Sequence, residues 1–364
     1  MRRRALLAVA ALAMAAALGA PALAEIRVGV AVPLSGRMAG VGLAMERALE
    51  AAIAEANAAG GVLGDTLTLL VEDDGCARAT AEGAAAVLIA QKPAVVIGHP
   101  CANAAAATAT LYGSRDVLLI AVGPRHPDVT RVKPAPAVSP LRLAGRDDRQ
   151  GAAAAAWLLA HAPARRIAII HDRTAYARAI ADGAAAALAA EGAAAAPLVL
   201  PIVANRHDYA DALAKLNEGQ IEAVLFAGYA DEGAIVVAGL ERLGLAVPVL
   251  GSDVLATERF ADIAEHAKIA IEVLLPVGLA AIDALPGDAE RRAAEARGAF
   301  EAWLATVQAT GSLDARAVSS AMRDRPIATR TLGEIRFDQD GDLDAPAFAA
   351  ASARAGRWVL TPRQ

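Results

Sequence analysis

Residues 67–101 read LTLLVEDDGCARATAEGAAAVLIAQKPAVVIGHPC, and they contain the unit from which the predicted fold is built. Leu67–Val71 and Ala94–Ile97 are short apolar runs typical of buried strands. The segment between them, Ala77–Ala90, is rich in alanine, the strongest helix former. The stretch therefore predicts a strand, a helix and a second strand, which is the unit of a parallel sheet.

The cysteines of this stretch are the only two in the chain, and each closely follows a predicted strand. An exported chain with just two cysteines most simply pairs them, so we expect a disulfide between Cys76 and Cys101. Such a bond would pin two consecutive strand ends together. In an open α/β sheet the carboxyl ends of the strands are where ligands bind.

The same alternation of strands and helices extends in both directions. A proline-rich stretch, Lys133–Pro140, interrupts it, and the pattern then restarts. Predicted strands lie at Ile26–Val32, Val117–Val122, Arg166–Ile170, Leu198–Ile202, Ala223–Phe226 and Val249–Leu250. Predicted helices include Tyr176–Glu191, Tyr209–Leu216, Ala234–Leu243, Asp288–Gln308 and Asp314–Arg323. The chain therefore predicts two similar α/β units in series, each a parallel sheet with helices on both faces.

The first 24 residues have the pattern of an export signal. Met1–Arg4 is basic, Ala5–Gly19 is a short apolar run, and Ala22-Leu23-Ala24 is a small-residue cleavage site. The apolar run is too short for a comfortable membrane span. We expect cleavage after Ala24 and a periplasmic protein.

Composition and charge exclude several classes of protein. The formal net charge of −5 excludes a basic nucleic-acid surface, and no polybasic patch suggests a membrane surface. The remaining length of roughly 340 residues predicts two domains.

No catalytic or metal-binding motif stands out. The chain lacks a nucleophile elbow, a metalloprotease motif and a phosphate-binding loop. His99 and His171 each end a predicted strand and are interpreted as structural, with a general base as the alternative. The run Asp338–Asp344 resembles the start of a calcium loop, but it lacks the required glycine and glutamate, so a solvated turn is expected. We predict no cofactor, no metal and no enzyme activity.

Polar or otherwise distinctive residues follow the predicted strands at the edge where ligands bind. Helix N-termini at the same edge present free N–H groups to an anion. Five of these positions lie in the first unit and three in the second, so we expect a ligand between two lobes. They are Ser35, Ala102, Asn103, Gly123, Arg125, Tyr176, Tyr229 and Asp253.

Several motifs, in this order and spacing, resemble one family across nearly the whole mature chain. They are Val32–Gly36, Ala54–Gly61, Glu72–Cys76, Ile97–Cys101, Arg166–Asp172 with Tyr176, and Phe337-Asp338 with Gly341-Asp342. The chain is similar to the periplasmic Leu/Ile/Val-binding proteins of ABC transporters, which have the type I periplasmic binding fold. The resemblance also supports the Cys76–Cys101 disulfide.

The resemblance implies two doubly wound parallel-sheet lobes joined by a hinge. It places the N-terminal lobe at residues 25–143 and 277–346, and the C-terminal lobe at 144–276 and 347–364. It further implies a monomer that binds a small-molecule solute, delivers it to an ABC permease in the inner membrane, and does not bind nucleic acid.

Ligand contacts implied by the family are only partly kept. The family's carboxylate-binding serine and threonine correspond to Ala102 and Arg125, and its ammonium-binding glutamate corresponds to Asp253. Two pocket tyrosines are kept as Tyr176 and Tyr229, and Asn103 and Gly123 complete the candidate set. A further family tyrosine is replaced by Val41.

Arg125 admits three interpretations. It could bind the solute carboxylate in place of the missing hydroxyls, because its guanidinium is a permanent cation with a bidentate fork. It could instead pair with Asp253 in the closed lobes, or it could point to solvent.

The favoured function is a transport receptor for a small carboxylate-bearing solute, an amino acid of the branched-chain type. The alternatives are a periplasmic ligand sensor of the same fold, a binder of an aromatic or short-chain acid, and a periplasmic enzyme that uses His99 or His171.

Overall fold

The computed structural model describes residues 25–131, 138–192, 196–203, 206–277, 287–345 and 347–361. The predicted signal peptide and its cleavage site lie outside the described residues, as does most of the proline-rich stretch.

The strands fall into two main sheets and one small hairpin. In chain order they are β1 Glu25–Val32, β2 Thr66–Asp73, β3 Val95–Gly98, β4 Leu118–Ala121, β5 Leu141–Arg142, β6 Ile167–His171, β7 Leu198–Pro201, β8 Ala223–Ala227, β9 Val249–Gly251, β10 Ile271–Pro276, β11 Ile327–Thr329, β12 Gly333–Ile335, β13 Phe348–Arg354 and β14 Arg357–Leu360. The first sheet has the order β2-β1-β3-β4-β5 and is parallel throughout. The second has the order β14-β13-β10-β9-β8-β6-β7.

The helices connect and cover these strands. They are α1 Ala39–Ala58, α2 Arg78–Ala90, α3 Ala102–Gly113, α4 Asp128–Arg131, α5 Gln150–His161, α6 Ala175–Ala190, α7 Ala210–Glu218, α8 Ala230–Arg242, α9 Glu258–His266, α10 Asp288–Thr310 and α11 Ala315–Asp324. The long helices α1 and α10 pack against each other. The structure confirms the predicted strands at β1–β4 and β6–β9 and the predicted helices at α1–α3, α6–α8, α10 and α11. The sequence analysis did not predict β5, β10, α4, α5 or α9.

Strands β3 and β4 of the first sheet are buried on both faces because their side chains alternate between two apolar cores. Val95 and Ile97 of β3 face the core shared with α1 and α10. Val96, between them, faces the other core with Leu88 of α2 and Tyr112 of α3. This alternation explains why the strands read as unbroken apolar runs.

The prediction of wholly parallel sheets is wrong at one edge of the second sheet. There β13 pairs antiparallel with β10 and with β14. The sequence signal was weak because β13 is made largely of alanine, a poor strand former. The hairpin of β11 and β12 was not predicted either.

Two interactions join the strand ends of the first sheet. Cys76 and Cys101 form a disulfide with a Cα–Cα distance of 5.3 Å. Beside it, His99 Nδ1 lies 2.9 Å from Asp74 Oδ2, and both side chains are fully buried. The other ring nitrogen of His99 lies 3.1 Å from the hydroxyl of Tyr112. The loops after β2 and β3 are therefore held together by a covalent bond and a buried polar chain.

The aspartate run near the C-terminus is only in part the solvated turn that the sequence predicted. Asp342 is fully buried and accepts hydrogen bonds from Arg142 Nε at 2.9 Å and from the Thr130 hydroxyl at 2.7 Å. The Arg142 side chain is also fully buried, and burial lowers the pKa of its guanidinium while Asp342 opposes that shift. Asp338 pairs with Arg149 at 2.6 Å. The turn thus supplies a buried anion to the end of β5.

None of the described helices combines the length and apolarity that a bilayer span requires.

Removal of the disulfide should lower stability without loss of the fold. For C76S/C101S we expect the free energy of unfolding to fall by roughly 3–4 kcal/mol, since an open loop leaves the unfolded chain less restricted. Calorimetric unfolding measures the change, and wild-type protein under reductant should match the variant. A variant as stable as the oxidised wild type would contradict the prediction.

Breaking the buried pair at β5 should be more costly than a change in the exposed part of the same turn. Asp342→Asn leaves the Arg142 guanidinium buried without its counterion, so we expect a loss of about 3–5 kcal/mol in urea unfolding. Asp344→Asn is the matched control because its side chain is 59% exposed, and its effect should stay within about 0.5 kcal/mol. Equal effects of the two variants would refute this assignment.

Candidate functional site

The predicted site residues all lie at the carboxyl ends of parallel strands. Ala102 and Asn103 begin α3 after β3, and Gly123 and Arg125 follow β4. In the second sheet, Tyr176 lies in the first turn of α6 after β6, Tyr229 is the N-cap of α8 after β8, and Asp253 follows β9. This is the edge at which open α/β sheets bind ligands.

Three side chains of the second sheet form one hydrogen-bonded cluster around Asp253. Gln150, at the start of α5, donates from Nε2 to Asp253 Oδ1 at 2.9 Å. The Tyr176 hydroxyl donates to the same oxygen. Gln150 Oε1 in turn accepts from the backbone N–H of Asp253 at 3.3 Å. The carboxylate is thereby fixed in orientation.

The electrostatics of this cluster keep Tyr176 a hydrogen-bond donor. Burial and the hydrogen bond to Asp253 raise the pKa of the Tyr176 hydroxyl well above its usual range. Among the described residues, the recorded hydrogen bonds of the Asp253 carboxylate all go to Oδ1, which leaves Oδ2 available. Tyr229 stands beside the cluster, with its ring centroid 6.1 Å from that of Tyr176, and it is 47% exposed. The cluster can therefore accept a cation or a hydroxyl against two aromatic rings.

Arg125 is held by two of the chain segments that cross between the sheets, residues 143–147 and 347–348. Its Nε donates to Asp147 Oδ1 at 2.9 Å, and Nη2 donates to the carbonyl of Ala347 at 2.9 Å. The guanidinium also lies 4.7 Å from the centroid of the Phe348 ring. Arg125 and Asp253 thus have different partners in this structure, and with 18% of its side chain exposed Arg125 does not point freely into solvent.

The remaining predicted residues offer few polar groups. Ala102 is partly buried and carries no hydroxyl, while Asn103 is exposed. Gly123 is buried and has a φ of +100°, a conformation that favours glycine. Besides backbone groups and arginine side chains, the loops of the first sheet offer an anion the exposed side chains of Ser35 and Asn103.

Two residues near the site were missed by the sequence reasoning. Gln150 orients Asp253 across 103 positions of sequence. Arg292 of α10 lies directly against Gly123, since a Cβ built on that glycine would be 2.8 Å from Arg292 Nε. No local pattern marks either residue, because each acts at a loop far from its own place in the chain.

The histidines considered as general bases are structural in this geometry. His99 is fully buried between Asp74 and Tyr112, out of reach of a solute. His171 is 8% exposed and accepts a hydrogen bond from the N–H of Arg173 at 3.2 Å. Burial lowers the pKa of the His171 imidazole, with a contribution from the charge of Arg178. Within the described ranges, no cluster of three or more His, Cys, Asp or Glu side chains could hold a metal ion.

Comparison with known proteins identifies relatives along nearly the whole chain. The profile of the family described as "Periplasmic binding protein" matches residues 25–270. The Leu/Ile/Val-binding protein BraC3 of Rhizobium johnstonii is 27% identical over 347 residues, which cover 92% of this chain and 94% of that protein. Leu/Ile/Val-binding protein homolog 2 of Brucella abortus is 28% identical over 353 residues, 93% of each chain. These matches confirm the resemblance, and they agree with the prediction of a binding protein that is not an enzyme.

Solved structures share the fold. A putative branched-chain amino acid ABC transporter protein from Rhodospirillum rubrum has a TM-score of 0.73 at 20% identity, covering 93% of this chain and 100% of that one. A solute-binding protein from R. palustris in complex with benzoate has a TM-score of 0.55 at 18% identity, covering 93% and 95%. The two-lobed α/β fold predicted from the sequence is thereby confirmed.

Loss of Arg125 should loosen both crossing segments. Arg125→Ala removes its hydrogen bonds to Asp147 and Ala347, so we expect amide exchange in residues 143–147 and 347–348 to quicken by about 5- to 30-fold. Hydrogen–deuterium exchange with mass spectrometry measures this. Arg316→Ala is the control, because Arg316 pairs with Asp116 away from both segments. Unchanged exchange in the crossings of the Arg125 variant would contradict the prediction.

Proposed function

The chain belongs to the periplasmic binding protein family, and we propose that it is the solute receptor of an ABC importer. The proposed solute is a small carboxylate-bearing molecule, an amino acid of the branched-chain type. It binds between the two lobes, at the carboxyl ends of both sheets. The names of the Rhizobium and Brucella relatives support this choice of solute class.

The observation that carries the proposal is the arrangement of Asp253. Its Oδ1 is held by Tyr176 and Gln150, and its Oδ2 is available to a ligand. A fixed carboxylate with one open oxygen beside two tyrosine rings suits an ammonium group attached to an apolar side chain. An acid without an ammonium group would meet an uncompensated negative charge there. The site therefore favours an amino acid over a simple carboxylic acid.

The division into lobes follows from the two sheets. We assign residues 25–143 and 277–346 to the N-terminal lobe, and 144–276 and 347–364 to the C-terminal lobe. The apolar core around the first sheet includes α10 and the segment up to Leu343, which supports the first assignment. Solute contacts from both lobes would shift the balance between open and closed hinge states toward the closed one.

The proposed cellular setting is the periplasm. Cleavage after Ala24 would release a monomeric protein that meets an ABC permease in its closed, loaded state. Family membership and the transporter proteins that share the fold support this partner.

A second candidate ligand is an aromatic or short-chain acid without an ammonium group. The solute-binding protein from R. palustris that shares this fold is in complex with benzoate, which supports this candidate. Binding of such an acid would require Asp253 to accept a proton or a hydroxyl donor.

A thermal-shift panel separates the two ligand classes. The panel contains L-leucine, 4-methylpentanoate, which is leucine without its ammonium group, and benzoate. A true ligand at a hundredfold over its dissociation constant adds about 2.7 kcal/mol of stability. We expect stabilisation by L-leucine and none by 4-methylpentanoate. Stabilisation by the two acids alone would establish the second candidate instead.

Asp253→Asn tests the role of the carboxylate. We expect L-leucine to bind at least about 30-fold more weakly, because its ammonium group loses a charged partner. Asp262→Asn is the control, since Asp262 lies on α9 with 73% of its side chain exposed. Undiminished leucine affinity of the Asp253 variant would refute the assignment.

A further inference from the structure

The guanidinium of Arg292 is packed onto the ligand-binding edge of the first sheet. A Cβ built on Gly123 would lie 2.8 Å from Arg292 Nε and 2.9 Å from both Cδ and Cζ. Gly123 belongs to the loop after β4, one of the strand ends where the solute is proposed to bind. Only a residue without a side chain leaves room for the arginine in this position.

Arg292 is accessible and retains bonding capacity. Its side chain is 21% exposed, so solvent reaches it. Nη1 lies 2.5 Å from Glu295 Oε2, and Nε lies 3.5 Å from Asp288 Oδ1. Among the described residues, Nη2 takes part in no recorded ion pair or hydrogen bond. Glu295 and Asp288 therefore lie at Nη1 and Nε, and the two N–H groups of Nη2 can bind an anion.

The neighbouring carboxylates occupy only part of the hydrogen-bonding capacity of this cation. Glu295 is 7% exposed, and burial raises the pKa of its carboxyl although Arg292 opposes the shift. Asp288 is 47% exposed and lies at the longer distance, so water screens its charge. Arg125, the other cation near this loop, is occupied by Asp147 and Ala347.

We infer that Arg292 is the residue that binds the carboxylate of the solute, in place of hydroxyl groups that this chain lacks. The inference rests on the proposed function. A guanidinium offers a planar fork of N–H groups that matches the two oxygens of a carboxylate. The small side chain of Ala102 has no polar group that could take this role. Arg292 then selects for the acid group from the first lobe, and Asp253 selects for the ammonium group from the second.

A purely structural role, in which Arg292 only neutralises Glu295, makes a different prediction. If Arg292 is structural, its substitution should change the affinity for all solutes alike. If it binds the carboxylate, its substitution should weaken only solutes that carry a carboxylate. L-leucinol, which keeps the ammonium group and side chain of leucine but has no carboxylate, distinguishes the two roles. Calorimetric titration with L-leucine and L-leucinol is therefore the readout.

The variants are Arg292→Gln, Arg292→Lys and a control on the same helix. We expect Arg292→Gln to weaken L-leucine about 10- to 100-fold and to leave L-leucinol within about twofold. Arg292→Lys keeps the charge without the planar fork, so its affinity for L-leucine should lie between those of the wild type and Arg292→Gln. Arg297→Gln is the control, because Arg297 is 24% exposed and pairs with Glu301 at 3.1 Å in the same manner. It should change neither affinity.

The outcomes separate this inference from the proposed function. Leucine binding that is unchanged in Arg292→Gln, or weakened equally with leucinol, overturns the anchor and leaves the receptor in place. A wild-type protein that binds no carboxylate solute overturns both.

A measurement without any solute tests the position of the arginine. Gly123→Ala should lower the melting temperature less in an Arg292→Ala background than in the wild type, because the clash with the guanidinium is then absent. If the two substitutions lower the melting temperature by strictly additive amounts, Arg292 does not contact Gly123, and the inference is overturned.

Discussion

The ion pair between Arg142 and Asp342 holds the first sheet to the returning chain. Arg142 ends β5, and Asp342 comes from a turn 200 positions later, yet both side chains are fully buried. Neither charge is tolerable in the core alone, so each depends on the other being in place. The turn also lies along β5, where the N–H of Arg142 donates to the carbonyl of Gly341 at 2.8 Å. The end of the first sheet therefore has its charge and backbone partners only when the chain has returned from the second lobe.

The same region sets the geometry of the ligand cleft. Both crossing segments adjoin this pair, and Arg125 binds each of them from the loop after β4. Arg125 is therefore occupied by these segments and does not contact Asp253. In the proposed receptor, this leaves the solute carboxylate to Arg292, while Tyr176 and Gln150 orient Asp253. The proposed site still lies between two lobes, but its anchoring residues differ from those that the family resemblance implies.

Much of the fold was predictable because its signals are local. The apolar strand runs, the alanine-rich helices between them and the cysteines at strand ends can each be recognised within a dozen residues. The antiparallel β13 was missed because its alanines carry no strand preference. The burial of Asp342 was missed for a different reason. Within its own run of alternating aspartates nothing distinguishes it from its exposed neighbours, and its contacts with the distant Arg142 and Thr130 make it a core residue.

The sequence by itself determined the order of most elements, the two α/β lobes and the strand ends that carry candidate ligand contacts. Those features depend on hydrophobic periodicity and turn chemistry, which act between near neighbours in the chain. Only the tertiary structure decided which charges meet. The partners of Arg125 and the contact of Arg292 with Gly123 depend on distances through space, and Coulomb and hydrogen-bond energies fall off over a few ångströms. Residues far apart in the chain become partners only when the packed lobes bring them together.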